Sequence, residues 1–258
     1  MSKTKQKRRT ITFPGGWELF GDSLRAYREH PWRYLLIVGI IAVPTNLIGL
    51  SSSLASDPTV VLYLNLASLF MTAALLWAVA NGQDNVKFKL RQAYYDGSVI
   101  LVRFILVVAM LALMVLPGAI GLSLYGLGTA STVAPVSVAV QLLLGGLAIL
   151  LFIPTLVLLV RFIFSIYRVI VEGDWPIAAL SHSWRSTRGS FWPLTGRLAL
   201  LVVWIVLAML APLIVLVGLA VITHLYFFIV LLQLAFSLLA VPLICLYTFR
   251  LYQVLQGV

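Results

Sequence analysis

The sequence predicts an all-α polytopic membrane protein. It would have six transmembrane helices and three amphipathic helices along the cytoplasmic membrane surface, with an internal repeat that would make three parallel copies. Three observations predict this. Of 258 residues, 62% are hydrophobic and 10% charged, whereas soluble domains hold about 45–50% apolar and about 25% charged residues. Apolar runs close to the ~20 residues that cross about 30 Å of hydrocarbon recur six times. Every Lys and Arg falls on one side of those runs.

No long segment lacks apolar runs, so residues 1–16 read as a basic cytoplasmic tail and 17–258 as a single membrane domain. The mean hydropathy is +1.05. The one cysteine, Cys245, excludes a disulfide framework and Cys-based zinc sites. A net charge of +10 would suit nucleic acid. The cations flank spans, however, so the expected partners are membrane lipids with anionic headgroups. A protein partner is left open, and nucleic acid is not expected.

Residues 1–10 hold Lys3, Lys5, Lys7, Arg8 and Arg9. The following stretch, 13–33, is charged and amphipathic, unlike the apolar core of a cleaved signal. Within it Pro14, Gly15 and Gly16 break the chain, and Trp17, Phe20, Leu24 and Tyr27 form the stripe of a first interfacial helix. Pro31 interrupts just before the membrane. Spans are expected at about 34–54, 59–80, 99–122, 136–160, 198–221 and 225–249. Pro44, Pro117, Pro154, Pro212 and Pro242 fall in or at the ends of spans, where neighbouring helices can satisfy the freed carbonyls. Between spans two and three, Leu90, Ala93, Tyr94 and Gly97 make the stripe of a second interfacial helix, with Arg91 at its edge. The longest later polar interruption, 169–197, carries a third, with Ile177, Leu180 and Trp184 following Trp175.

Orientation follows from charge. Eight Lys or Arg precede span one. Lys87, Lys89, Arg91 and Arg103 lie between or just inside spans two and three. Arg161, Arg168, Arg185, Arg188 and Arg197 lie between spans four and five, and Arg250 ends span six. The connections near 52–58, 123–135 and 223–224 have none. The positive-inside rule puts both termini in the cytoplasm, and the expected location is a bacterial inner membrane.

A shift of 160 residues lays Ser23 on Ser183, Arg25 on Arg185, Arg28 on Arg188 and Trp32 on Trp192. Both copies read S-x-R-x-x-R-x-x-x-W and then enter the membrane; the stretch 86–97 is a weaker third copy. Trp32 and Trp192 are expected interfacial anchors. Arg25, Arg28, Arg185 and Arg188 are the candidate contacts to anionic headgroups. Each pair is three residues apart on one helix face, and guanidinium binds two phosphate oxygens at once.

The segment E-G-x-x-P-x-x-A-L-x-x-S-W-x-x-T-x-G-x-F-W comprises Glu172, Gly173, Pro176, Ala179, Leu180, Ser183, Trp184, Thr187, Gly189, Phe191 and Trp192. It resembles the membrane domain attached to some bacterial glycerophosphodiester phosphodiesterases and found in related multi-span bacterial proteins. One residue fewer separates Gly173 from Pro176 than that family's pattern has. The segment F-x-x-S-L-x-x-Y-R-x-x-x-W, from Phe20 to Trp32, is similar to the same family's opening segment. In the enzymes of that family catalysis belongs to a separate soluble barrel. This chain holds no such domain, so the resemblance implies a membrane module and transfers no activity.

No catalytic, cofactor-binding or metal-ligating residues are expected. The acids Glu18, Asp22, Glu29, Asp57, Asp84, Asp96, Glu172 and Asp174 all lie outside the spans, which leaves no carboxylate for proton coupling. Asp96-Gly97 lacks the further aspartates of a lipid phosphotransferase motif. His30, His182 and His224 lack ligand spacing. Gly121-Leu122-Ser123 with His224 is a weak intramembrane protease pattern, and there is no phosphate-binding loop. Asn46, Asn65 and Gln141 are expected to bridge helices, Arg103 and Arg161 to snorkel, and Gly118, Gly121, Gly145 and Gly146 to allow close helix approach. The expected role is non-enzymatic: a scaffold, or a module binding lipid or a partner. A small transporter or lipid-translocating protein is the alternative, and an intramembrane enzyme comes third. A polar mid-depth cavity would favour transport; a closed apolar bundle would favour the scaffold.

Overall fold

The computed structural model describes residues 14–48, 57–81, 90–130, 137–223 and 227–256, with the backbone alone at 128–130, 211, 219–223 and 229. The described residues form eight helices and no strand. They are α1 (Gly16–Glu29), α2 (Pro31–Ile48), α3 (Pro58–Asn81), α4 (Leu90–Ala130), α5 (Val138–Phe162), α6 (Pro176–Thr187), α7 (Phe191–Thr223) and α8 (Phe227–Gln256). A helical turn, Ser165–Tyr167, and a π-helical turn, Arg168–Glu172, follow α5. Six helices, α2, α3, α4, α5, α7 and α8, are long and apolar enough to cross a membrane. The chain is a multi-pass helical membrane protein.

The chain forms two compact units. Met1–Ala55 and Ala199–Val258 make one, Ser56–Leu198 the other. In the first, α1 and α2 pack against α8. Ile37 and Val38 of α2 and Leu246, Tyr247 and Leu251 of α8 are almost fully buried. Tyr27 stacks on Tyr34 with ring centroids 5.9 Å apart. Trp204 of α7 stacks on Phe20 at 5.4 Å and meets Trp17 edge-on at 4.4 Å. Glu18 caps the start of α1 by accepting a 2.9 Å bond from the Gly15 N–H.

In the second unit α4 packs against α3 and α5. Three contacts depend on small residues. A Cβ on Gly97 would lie 3.0 Å from the Ala74 Cα, and one on Gly121 3.0 Å from the Ala148 Cα. One on Gly118 would meet Thr155 Oγ1 at 3.0 Å. Gly118 and Gly121 therefore allow the close approach expected of them. Gly145 and Gly146 do not. Gly145 would make only ordinary contact with the Tyr125 ring, at 3.6 Å, and nothing lies within 4 Å of Gly146.

The middle amphipathic stretch departs from expectation. Residues 82–89 lie outside the described residues, and Leu90 onwards is one unbroken 41-residue helix. The first interfacial stretch ends at His30 before Pro31, and the last ends at Gly189, whose φ is +96. The middle stretch has neither break. Its Gly97 is helical and used for contact with α3. Moreover, α6 packs through Ala179 onto Val107 and Leu111, about 25 Å along α4 from Leu90. Two separate short amphipathic helices are therefore described, α1 and α6. Helix α4 also runs on to Ala130, beyond the expected end of span three near 122.

Candidate functional site

The two strong copies of the repeat match in local structure. At the 160-residue shift, the starts of α1 and α6 coincide (Gly16, Pro176), as do those of α2 and α7 (Pro31, Phe191). Burial coincides too. Leu19, Ser23 and Tyr27 of α1 and Ala179, Ser183 and Thr187 of α6 are the buried positions at matching register. The buried faces do not coincide with the apolar stripes. Trp17 and Ile177, at matching positions, are 65% and 75% exposed. Small side chains at the contact let α6 lie close to its neighbours, and the bulky Trp175 and Ile177 are left exposed.

All four candidate arginines, Arg25, Arg28, Arg185 and Arg188, are exposed, and none has an ion pair among the described residues. Arg25 and Arg28 line a groove of about 370 Å³ with Gly21, Leu24 and Glu29. The Glu29 carboxylate there opposes an anion. Trp32 and Trp192 are 73% and 80% exposed.

The segment from Glu172 to Trp192 builds a polar clamp. Arg168, nearly buried, bonds through Nε to Asp174 Oδ2 at 3.0 Å and through Nη2 to Glu172 Oε2. Gly173 takes the left-handed conformation, φ +68, that ends the π-turn. Its carbonyl accepts a 2.7 Å bond from Arg103 Nη1, while the Arg103 guanidinium lies 5.1 Å from the Trp175 ring centroid. Pro176 opens α6 at a position where its missing N–H costs nothing. Ala179 is fully buried against Val107, Leu111 and Val169. The Ser183 hydroxyl donates to the Arg161 carbonyl at 2.6 Å, and the Thr187 hydroxyl donates to the Ser183 carbonyl at 3.0 Å. Trp184 stacks on Phe162 at 5.5 Å, and the Arg161 guanidinium carbon lies 3.9 Å from the Trp184 ring centroid. Gly189 makes the turn into α7. These residues hold α6 onto α4 and the end of α5.

Neither Arg103 nor Arg161 is simply a snorkelling chain: both are anchored on tryptophan. Sequence reasoning also passed over Arg168, although its i, i+4 spacing to Glu172 was a legible signal. Asn46 and Asn65 do not bridge helices. Each Nδ2 bonds the carbonyl four residues back in its own helix, Ala42 at 2.7 Å and Val61 at 2.9 Å. The bridge is Thr155, whose Oγ1 accepts the Gly118 N–H at 3.0 Å. It stands beside Pro117, where the helix loses a backbone donor. Asp57 caps α3: its Oδ1 accepts the Thr59 N–H at 2.8 Å, which holds its carboxyl below the usual range.

Helices α7 and α8 line two apolar cavities. One of about 310 Å³ runs from Phe20 and Trp204 past Met209 and Pro212 to Leu239 and Leu243. The other, about 420 Å³, shares Ile205, Met209 and Leu232 with it and has a single polar side chain in its lining, Gln233. No group of three metal-ligating side chains occurs among the described residues. Asp84 and His224 lie outside them, so the Ser123–His224 pairing has no geometry here. The chain matches no protein-family model, no curated protein and no solved structure at a significant level.

Proposed function

We propose that this chain is a non-enzymatic lipid-binding module of a bacterial inner membrane, with both termini cytoplasmic. The membrane domain of glycerophosphodiester phosphodiesterases remains the family it is proposed to resemble. The observation that carries this reading is the apolar groove between α7 and α8. Its walls are mid-helix residues, so the medium beside it is hydrocarbon, and its occupant is a lipid acyl chain. The exposed Arg25, Arg28, Arg185 and Arg188 would hold anionic headgroups at the cytoplasmic face, each cation contributing about 1 kcal/mol.

Native mass spectrometry of the chain, extracted with its surrounding membrane, tests both parts. Ala208 lines the smaller cavity, so Ala208→Trp fills the groove and should reduce retained lipid by severalfold, whatever the headgroup. Replacing the four arginines by lysine keeps the charge and loses the planar fork. It should lower anionic lipid selectively. Unchanged lipid in the Ala208→Trp protein, with its fold intact, would remove the groove as a lipid site. Loss of a dimer instead would make the occupant a second copy.

A further inference from the structure

We propose that the guanidinium of Arg161 is a binding site for a phosphate oxyanion. Arg161 sits in the last turn of α5, where the helix dipole favours a cation. Its guanidinium carbon lies over the Trp184 ring, 3.9 Å from the centroid, and 5.8 Å from the Phe191 ring centroid. The Nε–H is buried and has no acceptor. No hydrogen bond or ion pair reaches the guanidinium from any described residue. Glu172 and Asp174, the acids on the connection between α5 and α6, are held by Arg168.

A buried donor left without an acceptor costs free energy, and so does a cation left without an anion. A group that meets the charge and a terminal nitrogen together is an anion with two or more oxygens. Phe191 begins α7, a 33-residue helix, and its first N–H groups point out of the helix start. Pro193 removes one donor, and Leu194 N–H is taken by the Ser190 carbonyl at 3.1 Å. The amides of Phe191 and Trp192 are left without an acceptor among the described residues. A cation against an aromatic face beside a helix start suits phosphate. The phosphate comes from an inner-leaflet phospholipid or from solution.

This site does not depend on the groove between α7 and α8 or on the four surface arginines. Lipid binding at either place can fail and leave it standing. The test is thermal stabilisation of the full-length chain by two probes. One is inorganic phosphate added in a neutral detergent. The other is reconstitution into phosphatidylglycerol vesicles against phosphatidylcholine vesicles. Wild type should be stabilised by at least one probe, and Arg161→Lys should need at least tenfold more of it. Ala208→Trp should respond as wild type does. Stabilisation by phosphatidylglycerol alone assigns the ligand to lipid; stabilisation by inorganic phosphate assigns it to the solute. If neither probe stabilises wild type, the proposal is wrong, whether or not any variant folds. An equal response in Arg161→Lys also sinks it and leaves Arg161 as a clamp on Trp184.

Discussion

Ser23 and Ser183 occupy one position in two copies of a repeated helix, both are buried, and they bond differently. The Ser23 hydroxyl donates to the Leu19 carbonyl within its own helix at 2.6 Å. The Ser183 hydroxyl donates to the Arg161 carbonyl of another helix, also at 2.6 Å. The first bond is local and replaceable. The second joins two elements. Ser183→Ala should therefore cost about 1–2 kcal/mol, and Ser23→Ala close to nothing, since alanine is the better helix former. Thermal unfolding of both variants in detergent checks this; equal losses would contradict it.

Arg168 holds two carboxylates and is itself nearly buried. Arg168→Met should destabilise by about 2–3 kcal/mol, less than a fully buried pair because the two carboxylates are 34% and 25% exposed. Adding Glu172→Gln and Asp174→Asn to Arg168→Met should recover part of that loss, because the stranded charges are then gone. A triple variant no more stable than Arg168→Met alone would show that the ion pairs are not what the substitution removes.

Two glycines of the second unit should respond oppositely to a larger side chain. Gly118→Val drives methyl groups into Thr155, which lies 3.0 Å from the first added carbon. It should lower the unfolding temperature by several degrees as α4 and α5 are forced apart. Gly146→Ala meets nothing within 4 Å, and it should raise stability by about 0.5–1 kcal/mol through helix propensity.

Asp57 makes stability depend on pH. Its folded-state carboxyl is held below the usual value by the Thr59 N–H. The stabilisation is therefore fully present above the unfolded value of about 3.9 and fades as pH falls through the folded value. Asp57→Asn keeps an oxygen acceptor and cannot titrate. Unfolding temperatures measured between neutral pH and the acid limit should converge for the two proteins at low pH; parallel curves would remove Asp57 from the acid response.

Orientation can be read by labelling. Single cysteines near Asp57 and Gly128, in a Cys245→Ser background, should react with impermeant thiol reagents from outside. Cysteines near Asp174 should not. The reverse pattern would invert the proposed topology.

The helices that cross the membrane were legible in the sequence because hydrophobic length needs no knowledge of neighbours. Pro31 reads as an interruption before span one, and α2 instead starts on it, since proline suits a first turn. The contacts were harder to read. The stripe Trp17, Phe20, Leu24, Tyr27 was legible as an apolar face, but which residues meet protein was not, because apolarity alone does not separate a neighbouring helix from lipid. At a membrane interface lipid takes the bulky residues, and small ones such as Ala179 and Ser183 make the protein contact. Arg161 was hidden for another reason: its partner Trp184 is distant in sequence and apolar, so no charge pattern links them. The continuity of α4 escaped notice because a polar opening such as 90–97 is the same in an interfacial helix as in a projecting one.

That continuity has a mechanical side. Helix α4 is about 60 Å long, with Pro117 its one interior proline, and the bond from Gly118 N–H to Thr155 braces the place where it would bend. The broken copies have joints at His30–Pro31 and Gly189, where helix and span can change angle independently. Helix α4 has no joint there, so it behaves as a lever. A tilt of roughly 5° imposed on its first turns would carry its far end through about 5 Å over that length. A displacement of α3 at its contact with Gly97 would therefore be carried along α4 toward Gly118 and Thr155.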